Sequence, residues 1–414
     1  MEDLLLLVHR LPYPPNKGDK IRSYHLLEQL ALHYRVHLAT FIDDEDDWRH
    51  VPRVRALCAS SHFGRLVPLR ARLRSVGALW HRRALSLDYY RDARLQQWVA
   101  ALMAERPVRR IVVFSVAMAQ YAQGWPGARC VVDFCDVDSD KWRQYAQKKR
   151  WPASLVYRYE AARLLAYERE VARSCDAALF VSREEAALFR HLAPESAART
   201  GHVGNGVDTT YFSPGFCAEG GADNPYPAGQ RAIVFTGAMD YWPNIDAVSW
   251  FAREILPQVL REHRDVRFHI VGARPAAEVR GLASLPGVSV SGTVPDVRPY
   301  LAHAAVAVAP LRVARGIQNK VLEAMAMART VVLTPQALEG IEARAGSELL
   351  LAADAAPFAA AVGAALARPD PAIGIAARRR VEADYGWAAR LAPLMPLLEG
   401  DGDEADLSAW RRPA

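Results

Sequence analysis

Long hydrophobic runs are missing from this chain of 414 residues. The first apolar stretch, residues 4–8, is far shorter than the roughly 18 positions that a bilayer-crossing helix needs. The start, Met1-Glu2-Asp3, is acidic where a secretion signal carries positive charge, so a cytoplasmic protein is expected. Cysteine is scarce. Cys58, Cys130, Cys135, Cys175 and Cys217 are odd in number, scattered, and form no C-x-x-C pair. That argues for small buried thiols in a reducing compartment and against a disulfide framework or a zinc site. No G-x-G-x-x-G follows a strand-like run, which disfavours a dehydrogenase. Lysine is absent between Arg49 and Arg110, where 14 arginines face only Asp88, Asp92 and Glu105.

What is present can build sizeable cores: 51% of residues are hydrophobic and 24% charged. At ~150 residues per domain, two or three domains are expected. The net charge of +6 is uneven, with 32 basic against 24 acidic residues in 1–210 and 20 against 22 in 211–414. A basic first half fits nucleic acid, anionic lipid or a phosphorylated substrate. No helix-turn-helix, zinc-finger or RNA-binding signature supports nucleic acid, and none is expected as a partner. In residues 65–98 arginines interleave with Leu, Val, Trp80, Tyr89 and Tyr90. This segment reads either as a solvated basic face or as an interfacial surface for anionic lipid.

Apolar runs at 4–8, 36–41, 111–114, 130–134 and 177–181 alternate with helical periodicity at 21–33, 155–173 and 184–192. Strand, helix, strand in succession predicts a parallel sheet with helices on both faces. A Gly/Pro-rich stretch, 213–231, reads as a linker. Beyond it the alternation restarts, with strands at 233–236, 266–271, 288–290, 306–309 and 331–334 and helices at 244–262 and 317–328. The expected organisation is a domain over 1–212, a linker, a second doubly wound domain over 232–385, a closing helix within 386–400, and a loose tail, 401–414. Ligands of open α/β sheets bind beyond the carboxyl ends of the strands, so the active site is expected in a cleft between the domains.

Glycines follow several strands. Gly237 and Gly272 end strand-like runs, and Gly316 precedes the helix that holds Asn319, Lys320 and Glu323. Glycine lets a phosphate approach the backbone, and a helix start offers free N–H groups. Arg312, Lys320 and that helix start could together neutralise a diphosphate, and Glu323, one turn further on, could accept hydrogen bonds from ribose hydroxyls. Lys320 and Glu323 sit in an otherwise apolar helix, Lys320-Val-Leu-Glu-Ala-Met-Ala-Met-Ala, which favours a cleft-facing over a solvated pair.

Asn205-Gly-Val-Asp208, Phe212-Ser-Pro214, Phe235-Thr-Gly237, Ile270-Val-Gly272, Lys320-Val-Leu-Glu-Ala-Met-Ala326 and Val331-Val-Leu-Thr334, taken in order, resemble family 4 of the retaining glycosyltransferases. Asp136-Val-Asp-Ser-Asp-Lys-Trp142, Tyr241-Trp-Pro-Asn244 and Gly316-Ile-Gln-Asn-Lys320 more narrowly resemble sugar transferases of PEP-CTERM/EpsH-type exopolysaccharide operons. The resemblance implies a GT-B fold: two Rossmann-like domains facing across a cleft, acceptor domain first, nucleotide-sugar domain second, the last helix crossing back. It implies that Glu323 binds the donor ribose and that Gly18 lets the diphosphate approach the first domain. Gly237, Asn244, Gly272, Gly316 and Asn319 fall on the donor side, and Ser115, Asp136 and Arg22 on the acceptor side. The implied partners are a nucleoside-diphosphate sugar and a glycan or lipid-linked acceptor. No cofactor or metal is implied, and the place of work is the cytoplasmic face of the plasma membrane.

The chain departs from the family pattern in places. Arg315 stands where a donor-contacting glutamate is usual, and Ala238 and Asn244 stand where an Arg and a Lys commonly hold the diphosphate. Lys320 and Arg312 are the candidates for the missing positive charge. Ser115 occupies the region where many members place an acceptor-side histidine. Asp136-x-Asp138 could bind a metal, cap a helix or contact the acceptor. Tyr241 and Trp242 read as a lid or core pair more readily than as a base-stacking platform. A non-catalytic carbohydrate- or lipid-binding protein on a decayed scaffold is the competing reading.

Overall fold

A computed structural model describes residues 1–15, 18–148, 150–218, 223–314 and 317–400. The chain forms two compact units, Met1–Gly204 with the segment from Leu391 onward, and Asn205–Arg390. The break thus falls ahead of 213–231 rather than within it, and the chain re-enters the first unit inside the closing helical segment.

In the first unit seven parallel strands run β1 (Asp3–Val8), β2 (Arg35–Ile42), β3 (Ser60–Arg65), β4 (Arg110–Phe114), β5 (Arg129–Cys135), β6 (Ala177–Phe180) and β7 (Thr200–His202). Their order in the sheet is β3-β2-β1-β4-β5-β6-β7. Leu4, Leu5, Leu6 and Leu7 are all fully buried, as a central strand covered on both faces requires. Because β1 pairs with β2 on one side and β4 on the other, the strand order reverses between β1 and β4. That reversal is where an open α/β sheet parts its loops to admit a ligand.

The second unit repeats the plan with β8 (Arg231–Thr236), β9 (Val266–Val271), β10 (Val288–Gly292), β11 (Val306–Ala309), β12 (Val331–Leu333) and β13 (Leu350–Leu351). The order is β10-β9-β8-β11-β12-β13, and the reversal lies between β8 and β11. Each unit has its own apolar cluster. Among the described residues no helix is long and apolar enough to cross a membrane.

Two expected helices are interrupted. The stretch expected as one helix over 244–262 is Trp242–Trp250, a wide π-type turn Phe251–Ile255, and Leu256–Glu262. Pro257, which has no N–H to give the preceding turn, lies just beyond the wide turn. The closing helix is two short ones, Trp387–Leu391 and Leu394–Glu399, parted at Pro393 for the same reason. The second of them is fastened to the first unit. Its Glu399 accepts from Tyr34 and Arg110, Arg129 donates to the Leu397 carbonyl, and Leu394, Leu397 and Leu398 are buried. The tail 401–414 lies outside the described residues.

Candidate functional site

At the β8/β11 reversal two glycines bring loops into contact. Thr236 and Val271 are partners in register, so Gly237 and Gly272 follow side by side, and Gly237 N–H donates to the Val271 carbonyl at 3.0 Å. A Cβ on Gly272 would lie 1.6 Å from the Gly237 carbonyl oxygen. Gly272 is therefore glycine because backbone packs on it, which is a different reason from the donor clearance expected of it. A Cβ on Gly237 would meet Asn244 Nδ2 at 2.8 Å and Lys320 Cε at 3.4 Å. Its bareness lets those two side chains converge over the strand end.

Asn244 is buried on the helix Trp242–Trp250. Its Nδ2 donates to the Ala238 carbonyl at 2.9 Å, and its Oδ1 accepts from Lys320 Nζ at 2.7 Å. Lys320 lies in the first turn of the helix Asn319–Ala326, with its ammonium 5.0 Å from the Phe235 ring centre. Burial pushes the Lys320 pKa down to about 8. One turn on, burial pushes Glu323 up to about 7, against the opposing pull of Lys320. Glu323 makes no side-chain hydrogen bond or ion pair among the described residues. The helix start is not capped by the Gln318 side chain, and Asn319 is its first residue, so early N–H groups face the same place. The site thus holds a cation on a fixed amide, a carboxyl free to accept, and a helix dipole.

Arg312 stands apart from this arrangement. Its guanidinium is held by both carboxylate oxygens of Asp246 and lies 5.4 Å from the Trp250 ring centre. Its charge is already matched, so the expectation that it shares a diphosphate with Lys320 is weakened. Tyr241 and Trp242 are each 59% exposed, which removes the core reading for them. Gly316 and Arg315 lie outside the described residues.

In the first unit the β1/β4 reversal gathers other groups. Gly18 opens the helix Gly18–His33, and a Cβ there would touch nothing within 4 Å. Ser115, just past β4, has φ 76, and Cys135, at the end of β5, has φ 65, so two adjacent strands end in left-handed backbone at non-glycine residues. His9, just past β1, stacks on Phe114 at 5.7 Å, with Nε2 3.5 Å from Asp19. Lys141 Nζ bridges Asp136 at 2.6 Å and Asp138 at 3.4 Å. The carboxylates of Asp136 and Asp138 do not cap the helix Asp138–Lys148, which corrects that reading. Glu185 takes the Val137 N–H at 2.7 Å and the buried Glu168 takes the Ser139 N–H at 3.0 Å. Among the described residues no three His, Cys, Asp or Glu side chains are placed to hold a metal.

Arg22 does not fit the acceptor side. It is 2% exposed, its Nε is 2.7 Å from Asp133, and Leu391 and Leu394 of the returning segment help enclose the pair. The pair ties the helix Gly18–His33 to β5. Read from the sequence, His9, like His25 and His202, is a lone histidine more readily structural or surface than catalytic, and Lys141 is the residue that reading the sequence missed. The usable signal for His9 was its place directly after the first strand of a doubly wound unit.

Two doubly wound parallel sheets, with convergent polar groups at the strand-order reversal of the second, match the GT-B fold of solved glycosyltransferases. Residues 230–368 match the family model described as glycosyl transferases group 1, a span that contains Gly237, Asn244, Gly272, Arg312, Asn319, Lys320 and Glu323. Sucrose-phosphate synthase from Thermosynechococcus elongatus has a similar structure at 19% identity, TM-score 0.64, covering 97% of this chain and 99% of that one. HepE from Anabaena, solved in complex with UDP-glucose, is similar at 14% identity, TM-score 0.60, covering 97% and 100%. WaaG, a glycosyltransferase involved in lipopolysaccharide biosynthesis, is similar at 16% identity, TM-score 0.60, covering 96% and 100%. At these identities the likeness is one of fold. No curated protein sequence matches the chain.

Proposed function

We propose that the protein is a retaining glycosyltransferase of family 4 that moves a sugar from a nucleoside diphosphate to a glycan or lipid-linked exopolysaccharide precursor. It would work at the cytoplasmic face of the plasma membrane without a metal. The observation that carries this reading is the Lys320–Asn244 hydrogen bond beside Glu323, at the start of a helix inside the segment that matches the family model. A diphosphate docking there would supply the negative charge that Lys320 lacks, raising its pKa from about 8 and fixing it as a cation. Glu323, with no partner of its own among the described residues, is suited to accept the hydroxyls of a ribose. The UDP and UDP-glucose held by the HepE structures support a nucleotide-sugar donor.

A retaining transfer of this kind asks little of titrating side chains. A donor phosphate oxygen takes the acceptor proton, and the protein stabilises charge on the departing diphosphate. Lys320 and the helix start are the groups that do so in this reading. On the acceptor side, Ser115 and Asp136 at the ends of β4 and β5 remain the candidates, with His9 beside them.

The test is a thermal-shift screen of UDP, GDP, ADP and CMP with their sugar conjugates, followed by transfer assays with the donor that binds. Stabilisation by one nucleotide, stronger for its conjugate, is expected by mass action. No shift with any of them in folded protein would favour the non-catalytic scaffold, a reading that the Asp246-bound state of Arg312 encourages.

A further inference from the structure

The helix Pro68–Ser75 and the turn Val76–Leu79 that continues it are amphipathic the wrong way round for a soluble surface. The helix buries two small residues, Ala71 and Ser75, and turns its large apolar ones outward. Leu69 and Leu73 are each 68% exposed, Val76 50% and Trp80 85%. Their spacing of four, three and four places them in one stripe, the side a helix normally hides. The segment is nevertheless fixed in place. Arg74 donates to the carbonyls of Asp88 and Tyr89 at 2.8 and 2.7 Å, and the Tyr159 hydroxyl reaches the carbonyls of Ala78 and Arg83 at 3.4 and 3.2 Å. The Tyr159 contact brings the start of the helix Ala153–Ser174 alongside, where Trp151, Leu155 and Val156 are also exposed.

Charge flanks the stripe on one side of the ledger only. The guanidinium groups of Arg70, Arg72 and Arg82 are exposed and have no hydrogen-bond or ion-pair partner among the described residues. No acidic residue occurs from Leu66 to Leu87, and the next, Asp88, is buried against Arg83 and Arg91. A second copy of the chain is a poor occupant, because an isologous contact would set these arginines against their own copies.

We propose that this stripe is a docking surface for an anionic phospholipid bilayer: Leu69, Leu73, Val76 and Trp80 enter the headgroup boundary while Arg70, Arg72 and Arg82 contact lipid phosphates. This deepens the membrane part of the proposed function but rests on the first unit alone, so it stands or falls apart from the donor.

The test is co-sedimentation of the full chain with vesicles of phosphatidylcholine alone and of phosphatidylcholine with about a third phosphatidylglycerol. Binding to the mixed vesicles and not to the neutral ones is expected. Replacing Arg70, Arg72 and Arg82 together by Ala should weaken it about a hundredfold. Leu73→Ser with Trp80→Ser should weaken it at least about tenfold. All five side chains are exposed, so both variants should melt as the parent does and keep nucleotide binding. Equal binding to neutral vesicles, no binding at all, or unchanged binding by both folded variants would overturn the proposal. So would self-association of the parent that the Leu73/Trp80 variant abolishes, which would assign the stripe to a second copy. Nucleotide shifts without vesicle binding would sink this proposal and leave the transferase standing, and the reverse result would do the opposite.

Discussion

Lys320 Nζ lies 2.7 Å from the amide oxygen of Asn244, and the same amide donates to the carbonyl of Ala238. Ala238 and Asn244 are the two positions at which the family resemblance leads one to look for an arginine and a lysine. The charge at this place comes instead from Lys320, on a different helix, pinned by the neutral side chain at 244. In the proposed reaction, Lys320→Ala should lower kcat/KM by about 10²–10³-fold, the size of losing one preorganised donor to a developing anion. Asn244→Ala, which leaves the ammonium in place but unpinned, should cost about tenfold. Arg312→Ala should cost less than about tenfold, because Asp246 already holds that guanidinium. An equal loss in all three would reinstate Arg312 as a partner of the diphosphate.

Glu323 gives the ligand-free protein a pH signature. Its pKa in the fold is about 7 against an ordinary 4.5, so the folded state holds this proton more tightly than the unfolded chain. The resulting stability is fully present below about pH 4.5 and lost as the pH rises through about 7. Lys320 acts oppositely: its buried charge costs stability below about pH 8, and the cost lifts above that. Glu323→Gln should therefore stabilise the ligand-free protein by about 2 kcal/mol at pH 8 and by almost nothing at acid pH, while weakening nucleotide binding. Denaturant melts at both pH values, with and without nucleotide, measure this. A variant less stable at pH 8 would mean that Glu323 is structural.

Gly272 and Gly18 should behave differently. Gly272→Ala forces a Cβ onto the Gly237 carbonyl at 1.6 Å, so loss of folded protein is expected whether or not a ligand is near. Gly18→Ala meets nothing within 4 Å and should leave the melting temperature unchanged. Weakened donor binding by that variant would then report the ligand itself, and unchanged binding would remove Gly18 from the donor set.

Asp136 and Asp138 form a D-x-D sequence that a metal-dependent transferase would use to clamp a diphosphate. Here Lys141 takes the place of a cation between them, and its own pKa is raised by the two carboxylates. Activity is expected to survive exhaustive EDTA treatment. Loss of activity restored by manganese or magnesium would return the pair to a metal role and displace Lys141 from it.

The central strands were legible because strands covered on both faces read as unbroken apolar runs: β1, β4, β8 and β11 all fall where the sequence places them. The edges were not. β3 is Ser-Ser-His-Phe-Gly-Arg, half polar because one side of it has no neighbouring strand, and β7 and β13 span only three and two residues, too short for a period to register. Of the site, Lys320 and Glu323 were readable as charges in an apolar helix. Their link to Asn244 was not, since the two positions are 76 residues apart and meet only through the bare backbone of Gly237. The same blindness to long-range pairing placed Arg22 on the acceptor side, when its partner Asp133 lies 111 residues away.

That misplacement has a measurable consequence. Arg22 and Asp133 are 2% and 4% exposed, and breaking a buried pair leaves one charge stranded without water. Arg22→Leu should thus destabilise the first unit by about 3–5 kcal/mol, with the Asp133 charge left uncompensated although it still accepts from the Cys135 N–H. Adding Asp133→Leu should recover part of that loss, because two apolar side chains can replace a buried ion pair at little net cost, while the Cys135 N–H loses its acceptor. An acceptor-binding Arg22 predicts the contrary: a normal melt, a raised acceptor KM, and no rescue by the second substitution. Thermal unfolding of the single and double variants separates the two roles without requiring that the acceptor be known.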